Sequence, residues 1–269
     1  MKSMKHLLMI AVASLLASPV FAQLEPSNSA GVTYGHAHLN VSDMELHKRL
    51  WVEHFGGVLV ERGPLTAIRL PGMLVALSGR EPTAGSQGTV MDHFGFKVRD
   101  IDAFLSKWRE AGLPVMSEFT GAEGFPNAYV MAPDDVRVEL QEDTTLPVEI
   151  AAYHIHFFTP DHEGLLDWYI ETFGLERFKR GTIETTANAP GMNLSFASSD
   201  EARTPTQGTS IDHIGFEIDD LESFCQALEA RGIVLDTPFR EIPSIALKIA
   251  YITDPSGVRV ELTEGYDEY

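Results

Sequence analysis

The sequence predicts an α+β protein built from four β-α-β-β-β units, and three observations carry that prediction. Four eight-residue phrases each begin with histidine and end with aspartate: "HAHLNVSD" (36–43), "HFGFKVRD" (93–100), "HIHFFTPD" (154–161) and "HIGFEIDD" (213–220). Their starts lie 57, 61 and 59 residues apart, a period that marks repeated supersecondary units. After each phrase come a helix-like stretch bracketed by aspartate and glycine, and then three short β-like runs.

Each phrase alternates between two faces and so predicts a strand. Asp43, Asp100, Asp161 and Asp220 stand where a side chain can accept from the free N–H groups of a helix start. Gly56, Gly112, Gly174 and Gly232 stand where a helix end turns left-handed. The stretches between them are "MELHKRLWVEHF", "IDAFLSKWREA", "HEGLLDWYIETF" and "LESFCQALEAR". In unit two the strands that follow are "LPVMSEF", "NAYVMA" and "VRVELQ"; in unit four they are "IVLDTPF", "IAYITD" and "VRVELT".

Finer likeness at half-chain spacing groups units one and two against units three and four. "SQGTVMDHFGF" (86–96) matches "TQGTSIDHIGF" (206–216), and "VRVEL" occurs at both 136–140 and 258–262. "LPGM" (70–73) echoes "APGM" (189–192). The expected domains are 33–145 and 150–266, joined through "EDTTLPVE" (142–149).

Ahead of them, "MKSMKHLLMIAVASLLASPVFA" has a basic start, an apolar run and small residues before Ala22, the pattern of a cleavable export signal over 1–22. The apolar run from Leu7 to Phe21 is 15 residues, short of the ~20 that span a bilayer. The mature chain is therefore expected in the periplasm or secreted, with no membrane span, as a monomer or homodimer. Cys225 is the one cysteine, so no intrachain disulfide can form. Acids outnumber Lys plus Arg by 39 to 20, a net charge of −19 that becomes −21 once Lys2 and Lys5 leave with the signal. Such a surface excludes nucleic acid and anionic lipid as partners and leaves a small molecule.

Successive strand residues point to opposite sides. Ile214, Phe216 and Ile218 share the side that packs on helices, leaving His213, Gly215 and Glu217 on the other. By the same alternation the far side collects His36 and His38, His93, and His154 and His156. From the two "VRVEL" strands it collects Arg137 with Glu139 and Arg259 with Glu261. With the halves paired as above, His154, His213 and Glu261 are expected to converge in one half and His36, His93 and Glu139 in the other. Two imidazoles and a carboxylate form a donor set for a divalent first-row metal with positions left for substrate.

With these residues in view, the chain resembles the vicinal oxygen chelate superfamily, which includes glyoxalases, bleomycin- and fosfomycin-resistance proteins and type I extradiol dioxygenases. The resemblance rests on the four units, on "DHIGFEI" and "DHFGFKV", and on "YITDPSGVRVEL" near the end, and it covers nearly all of the mature chain. It implies two half-barrel domains with metal ligands on first and last strands: His154, His213 and Glu261, and His36, His93 and Glu139. His38 and His156 are competing or supporting donors. "MLVALSG" (73–79) and "MNLSFAS" (192–198) offer no carboxylate for the fourth ligand of a glyoxalase I. Tyr251, Asp254, Pro255, Gly257 and Glu261 agree with the later part of the extradiol signature, but "REIPSIALKIA" (240–250) lacks its acid-base histidine.

The resemblance thus implies a metal-dependent enzyme on a small oxygenated substrate, a dioxygenase with Fe²⁺, or a lyase or isomerase with Zn²⁺, Ni²⁺, Co²⁺ or Mn²⁺. Tyr251 and Tyr129, each one strand from a carboxylate, are the candidates for assisting proton transfer. Arg137 and Arg259 are expected first as charge partners and second as anchors for an anionic substrate. The rival reading is an exported small-molecule binding protein without catalysis, with aromatic side chains lining the cup.

Overall fold

The computed structural model describes residues 24–268. The export signal expected over 1–22 lies outside the described residues.

All four units form as the repeats predict. Unit one contains β1 (Val32–Asn40), α1 (Met44–Glu53), β2 (Val58–Arg62), β3 (Leu65–Leu70) and β4 (Met73–Ser78). Unit two contains β5 (Met91–Val98), α2 (Ile101–Glu110), β6 (Val115–Thr120), β7 (Pro126–Ala132) and β8 (Val136–Glu142). Unit three contains β9 (Ile150–Thr159), α3 (His162–Phe173), β10 (Glu176–Arg180), β11 (Ile183–Ala189) and β12 (Met192–Ser198). Unit four contains β13 (Ile211–Ile218), α4 (Leu221–Ala230), β14 (Thr237–Ile242), β15 (Leu247–Thr253) and β16 (Arg259–Glu264). The four aspartates cap the helices as their position requires: Asp43 accepts from Leu46 N at 2.9 Å and Asp220 from Ser223 N at 3.2 Å. Among the described residues, no helix is long and apolar enough to cross a membrane.

The strands form two eight-stranded sheets, and here the structure corrects the expected pairing of units. One sheet runs β14-β15-β16-β13-β1-β4-β3-β2, joining unit four to unit one. The other runs β10-β11-β12-β9-β5-β8-β7-β6, joining unit three to unit two. Each sheet therefore takes one unit from each half of the sequence, through the antiparallel ladders β1–β13 and β5–β9.

Helix packing accounts for this arrangement. The two units within each half meet through their helices rather than their strand edges. Trp51 of α1 stacks against Phe94 of β5 at 5.9 Å, and Phe173 of α3 stacks on Phe216 of β13 at 4.2 Å. These rings belong to one continuous apolar core shared by both sheets. With the helix faces committed to the other unit of the same half, the open edge of each first strand pairs with a unit from the other half.

A second, smaller core bends the first sheet into a half-barrel. Ala67 of β3 and Leu74 and Ala76 of β4 share it with Leu247 and Ile249 of β15, near the sheet's other end, and with Ile245 just before β15. The polar faces of β1, β13 and β16 line the resulting hollow, called cup one below. The corresponding face of the other sheet forms cup two.

Candidate metal centres

In cup one, first strands from opposite ends of the chain bring their histidines side by side. Across the β1–β13 ladder His36 is opposite Gly215 and His38 opposite His213, while β16 places Glu261 beside Gly215. His36 Nε2 and His213 Nε2 each lie 3.0 Å from Glu261 Oε2. One donor atom from each of His36, His38, His213 and Glu261 lies within 4.8 Å of all the others. His36, His213 and Glu261 are buried, and His38, held to Ser78 Oγ at 2.7 Å, is half-buried at the cavity wall.

Cup two repeats the plan. His154 is opposite Gly95, and His156 opposite His93. His93 Nε2 lies 2.9 Å and His154 Nε2 3.2 Å from Glu139 Oε2. His93, Glu139 and His156 offer donor atoms within 4.8 Å of one another. Asn127 Nδ2 donates to Glu139 Oε1 at 2.6 Å.

The expected triads are therefore redistributed. His154 does not join His213 and Glu261; it meets Glu139 and His93. His36 does not join His93 and Glu139; it meets Glu261 and His213. All six residues fall in one or other cluster, with His36 and His154 exchanged, because the sheets cross the halves.

A second departure concerns Asp92 and Asp212. Strict alternation puts each on the side opposite the following histidine, but a register shift interrupts both ladders at these residues. An extra residue at such a bulge re-aims its side chain. Asp212 Oδ2 thereby reaches His213 Nδ1 at 2.9 Å, and Asp92 Oδ1 reaches His93 Nδ1 at 2.9 Å. Each aspartate fixes its histidine with Nδ1–H donated, so that Nε2 faces the glutamate. Arg137 and Arg259 are indeed charge partners, but of these aspartates: Arg137 Nη1 lies 2.5 Å from Asp92 and Arg259 Nη1 3.3 Å from Asp212. The repeated "DH" dipeptide, present in units two and four and absent from one and three, was the available signal for this role.

Electrostatics follow from burial and these contacts. Burial presses His213 down, but the Asp212 and Glu261 carboxylates outweigh it and its pKa is raised; His93 behaves alike between Asp92 and Glu139. For His36 burial wins over Glu261 and the pKa falls, and His154 falls to about 4. Burial works to raise Glu261 and Glu139, yet the imidazoles hold both well below the usual carboxylate range. Each cup thus contains a carboxylate held toward its ionised form, beside one imidazole whose cation the carboxylates favour and one whose cation burial disfavours.

The family model described as the Glyoxalase/Bleomycin resistance protein/Dioxygenase superfamily matches residues 33–140 and 152–262. The chain belongs to that superfamily. Glyoxalase I from Zea mays, a solved structure, superposes with a TM-score of 0.70 at 17% identity, covering 88% of this chain and 94% of that one. A Bacillus subtilis protein provisionally called a dioxygenase gives 0.69 at 12% identity, covering 90% and 86%. At these identities the likeness is one of fold. A comparison with curated proteins finds no match.

As a member of the glyoxalase superfamily, the chain can be tested for fit to a divalent metal from its own donors. Two ligands bound at ~2.1 Å lie about 3 Å apart at octahedral angles and about 3.4 Å apart at tetrahedral ones. The 3.0 Å separations at Glu261 have the former spacing. His36 Nδ1 and His38 Nδ1 are buried without partners, so neither ring is held by a second hydrogen bond. Tyr251 donates its hydroxyl to Glu261 Oε1, leaving Oε2 to the imidazoles. The residues fit.

Proposed function

We propose that this protein is a metal-dependent enzyme acting on a small oxygenated organic molecule, with cup one as its principal centre. The observation that carries the reading is the approach of His36 and His213 to a single oxygen of the buried Glu261, with His38 beside them. A divalent cation held there would act as a Lewis acid toward two neighbouring oxygens of a substrate and hold negative charge developing on them. Fe²⁺ suits the dioxygenase form of this reading; Zn²⁺, Ni²⁺, Co²⁺ or Mn²⁺ suits a lyase or isomerase.

The remaining residues have separate tasks. Asp212 orients His213. Tyr251, whose pKa burial and then Glu261 push upward, keeps its proton at neutral pH and serves as a hydrogen-bond donor toward the carboxylate or a substrate oxygen. Tyr129 is in the same state beside Glu139. The cup-one cavity measures about 210 Å³ and is walled largely by polar and charged groups, with Tyr251 among them. That lining favours an enzyme on a polar substrate over a protein that sequesters aromatics in an apolar cup. A larger groove of about 530 Å³ beside α1 and α2 is lined by Phe55, Phe104 and Val148 and holds neither histidine cluster.

The test is metal analysis of anaerobically purified mature protein, comparing wild type with His93→Ala and His213→Ala. Loss of one equivalent with each variant supports two working centres, and loss with His213→Ala alone supports cup one. Absence of metal from every sample would overturn the enzyme in favour of a binding protein. Export to the periplasm or beyond fits this reading, and a fusion reporter at residue 22 tests it.

A further inference from the structure

The mouth of cup one carries two arginines that pair with no carboxylate among the described residues. Arg80, just past the end of β4, and Arg240, on β14, line the same cavity as His38, His213 and Tyr251. They reach it from strands on opposite sides of the β1–β13 centre of the sheet. The third arginine of the cavity, Arg259, is already engaged, paired with Asp212 and lying 4.1 Å over the Tyr251 ring. Three surface arginines elsewhere do rest on acids: Arg99 on Glu149, Arg109 on Glu118, Arg177 on Asp167. Arg80 and Arg240 have no such partner among the described residues, in a chain where acids outnumber bases by 39 to 20. The cavity's charge is therefore positive at the mouth, with the histidine and glutamate cluster beneath.

Cup two lacks this feature. The positions that match Arg80 and Arg240 in its sheet hold Ser199 and Phe119, and Phe119 stacks on Tyr129 at 4.9 Å. Its arginines are engaged, Arg137 and Arg203 both on Asp92, and Arg180 3.7 Å from Glu123.

We propose that Arg80 and Arg240 anchor the carboxylate of a compact substrate whose two adjacent oxygens face His36, His213 and Glu261, an assignment that rests on the metal-centre reading above. Planar guanidinium groups recognise carboxylates through paired, charge-assisted hydrogen bonds. The cavity, smaller than the ~300 Å³ at which drug-sized sites begin, limits the substrate to a single ring or short chain. Substrate selection then belongs to the two arginines, and orientation of the reacting oxygens to the histidine cluster.

Calorimetric titration with 3,4-dihydroxybenzoate and catechol tests this, since the two probes share adjacent oxygens and differ by the carboxylate. Wild type is expected to bind the acid about tenfold more tightly or better, the range of charged hydrogen bonds. In Arg80→Gln/Arg240→Gln that preference falls to about one while catechol affinity and melting temperature stay as in wild type. Equal affinities in wild type, or a preference that survives in the double variant, overturns the proposal. Repeating the titrations after chelator treatment separates the two readings. Catechol affinity indifferent to the chelator sinks the metal centre. The arginine assignment still stands if the carboxylate preference is present and the glutamine substitutions abolish it.

Discussion

Gly215 lies directly across the β1–β13 ladder from His36, and a methyl group on it would meet the imidazole Cε1 at 1.9 Å. The relationship repeats in cup two, where a methyl on Gly95 would reach His154 Cε1 at 2.4 Å. Glycine in "H-x-G-F" is thus required by the partner unit's histidine, which crosses close over the bare backbone to reach the glutamate. Neither glycine has a positive φ, so the need is for space alone. Gly215→Ala is expected to displace His36, lower metal affinity in cup one by about 10- to 100-fold and destabilise the fold by about 1–3 kcal/mol. Competition titration with a chromophoric chelator, with Gly95→Ala as the matched change in cup two, measures the first effect. Unchanged affinity in Gly215→Ala would show that His36 is not a ligand.

Asp212 is the residue to change next, because it orients a donor without being one. It accepts from His213 Nδ1, from Gly208 N at 2.9 Å and from Asn40 Nδ2 at 3.1 Å, and pairs with Arg259. Asp212→Asn keeps the shape and removes the charge that favours Nδ1–H. The expected result is metal affinity lower by about 10-fold or more with the stoichiometry unchanged, unlike His213→Ala, which removes the equivalent altogether. Metal content at saturation and affinity below it distinguish the two variants.

The four units, their helix caps and the face that carries the histidines were all legible in the sequence, because alternation and capping are local properties. The partnership of units was not. His36, His93, His154 and His213 open near-identical strands, and nothing along the chain says which edge meets which. That choice is made by Trp51 and Phe173, whose stacking on the neighbouring unit's strands is a long-range packing outcome. Asp92 and Asp212 escaped for a different reason: a bulge breaks the period-two rule on which face assignment depends. Arg80 lies beyond the last paired residue of β4, where strand periodicity no longer speaks.

Phe173 tests whether the two sheets are one cooperative body. Its ring, fully buried, stacks on Phe216 at 4.2 Å and faces Phe224 at 6.1 Å, so one side chain of unit three packs into the sheet of unit four. Phe173→Ala is expected to cost about 3–5 kcal/mol, the range for a large aromatic removed from a core. Urea unfolding followed by tryptophan fluorescence and by circular dichroism should shift to lower midpoint by both probes together. Two separated transitions, with only one displaced, would mean that the sheets unfold independently.

Glu217 gives the molecule a pH dependence of stability with a definite sign. Its carboxyl lies at the base of cup one, where burial pushes the pKa up to about 7, although Thr263 Oγ1 and the backbone N–H groups of Gly265 and Tyr266 donate to it. In the unfolded chain the same group ionises near 4.5. The folded state therefore binds a proton that the unfolded state has lost. The stabilisation is complete below about pH 4.5 and is lost as pH rises through 7. A shift of this size corresponds to about 3 kcal/mol. Asp254, raised to about 6 chiefly by burial while Val258, Tyr169 and Ser256 donate to it, adds a component of the same sign that is lost as pH rises through 6. Glu217→Gln keeps a carbonyl oxygen for the two backbone donors and removes the titration. Its melting temperature is expected to vary less than that of wild type between pH 5 and 8, with the gap in its favour at the alkaline end. Parallel melting curves for the two proteins across that range would show that Glu217 is ionised in the fold.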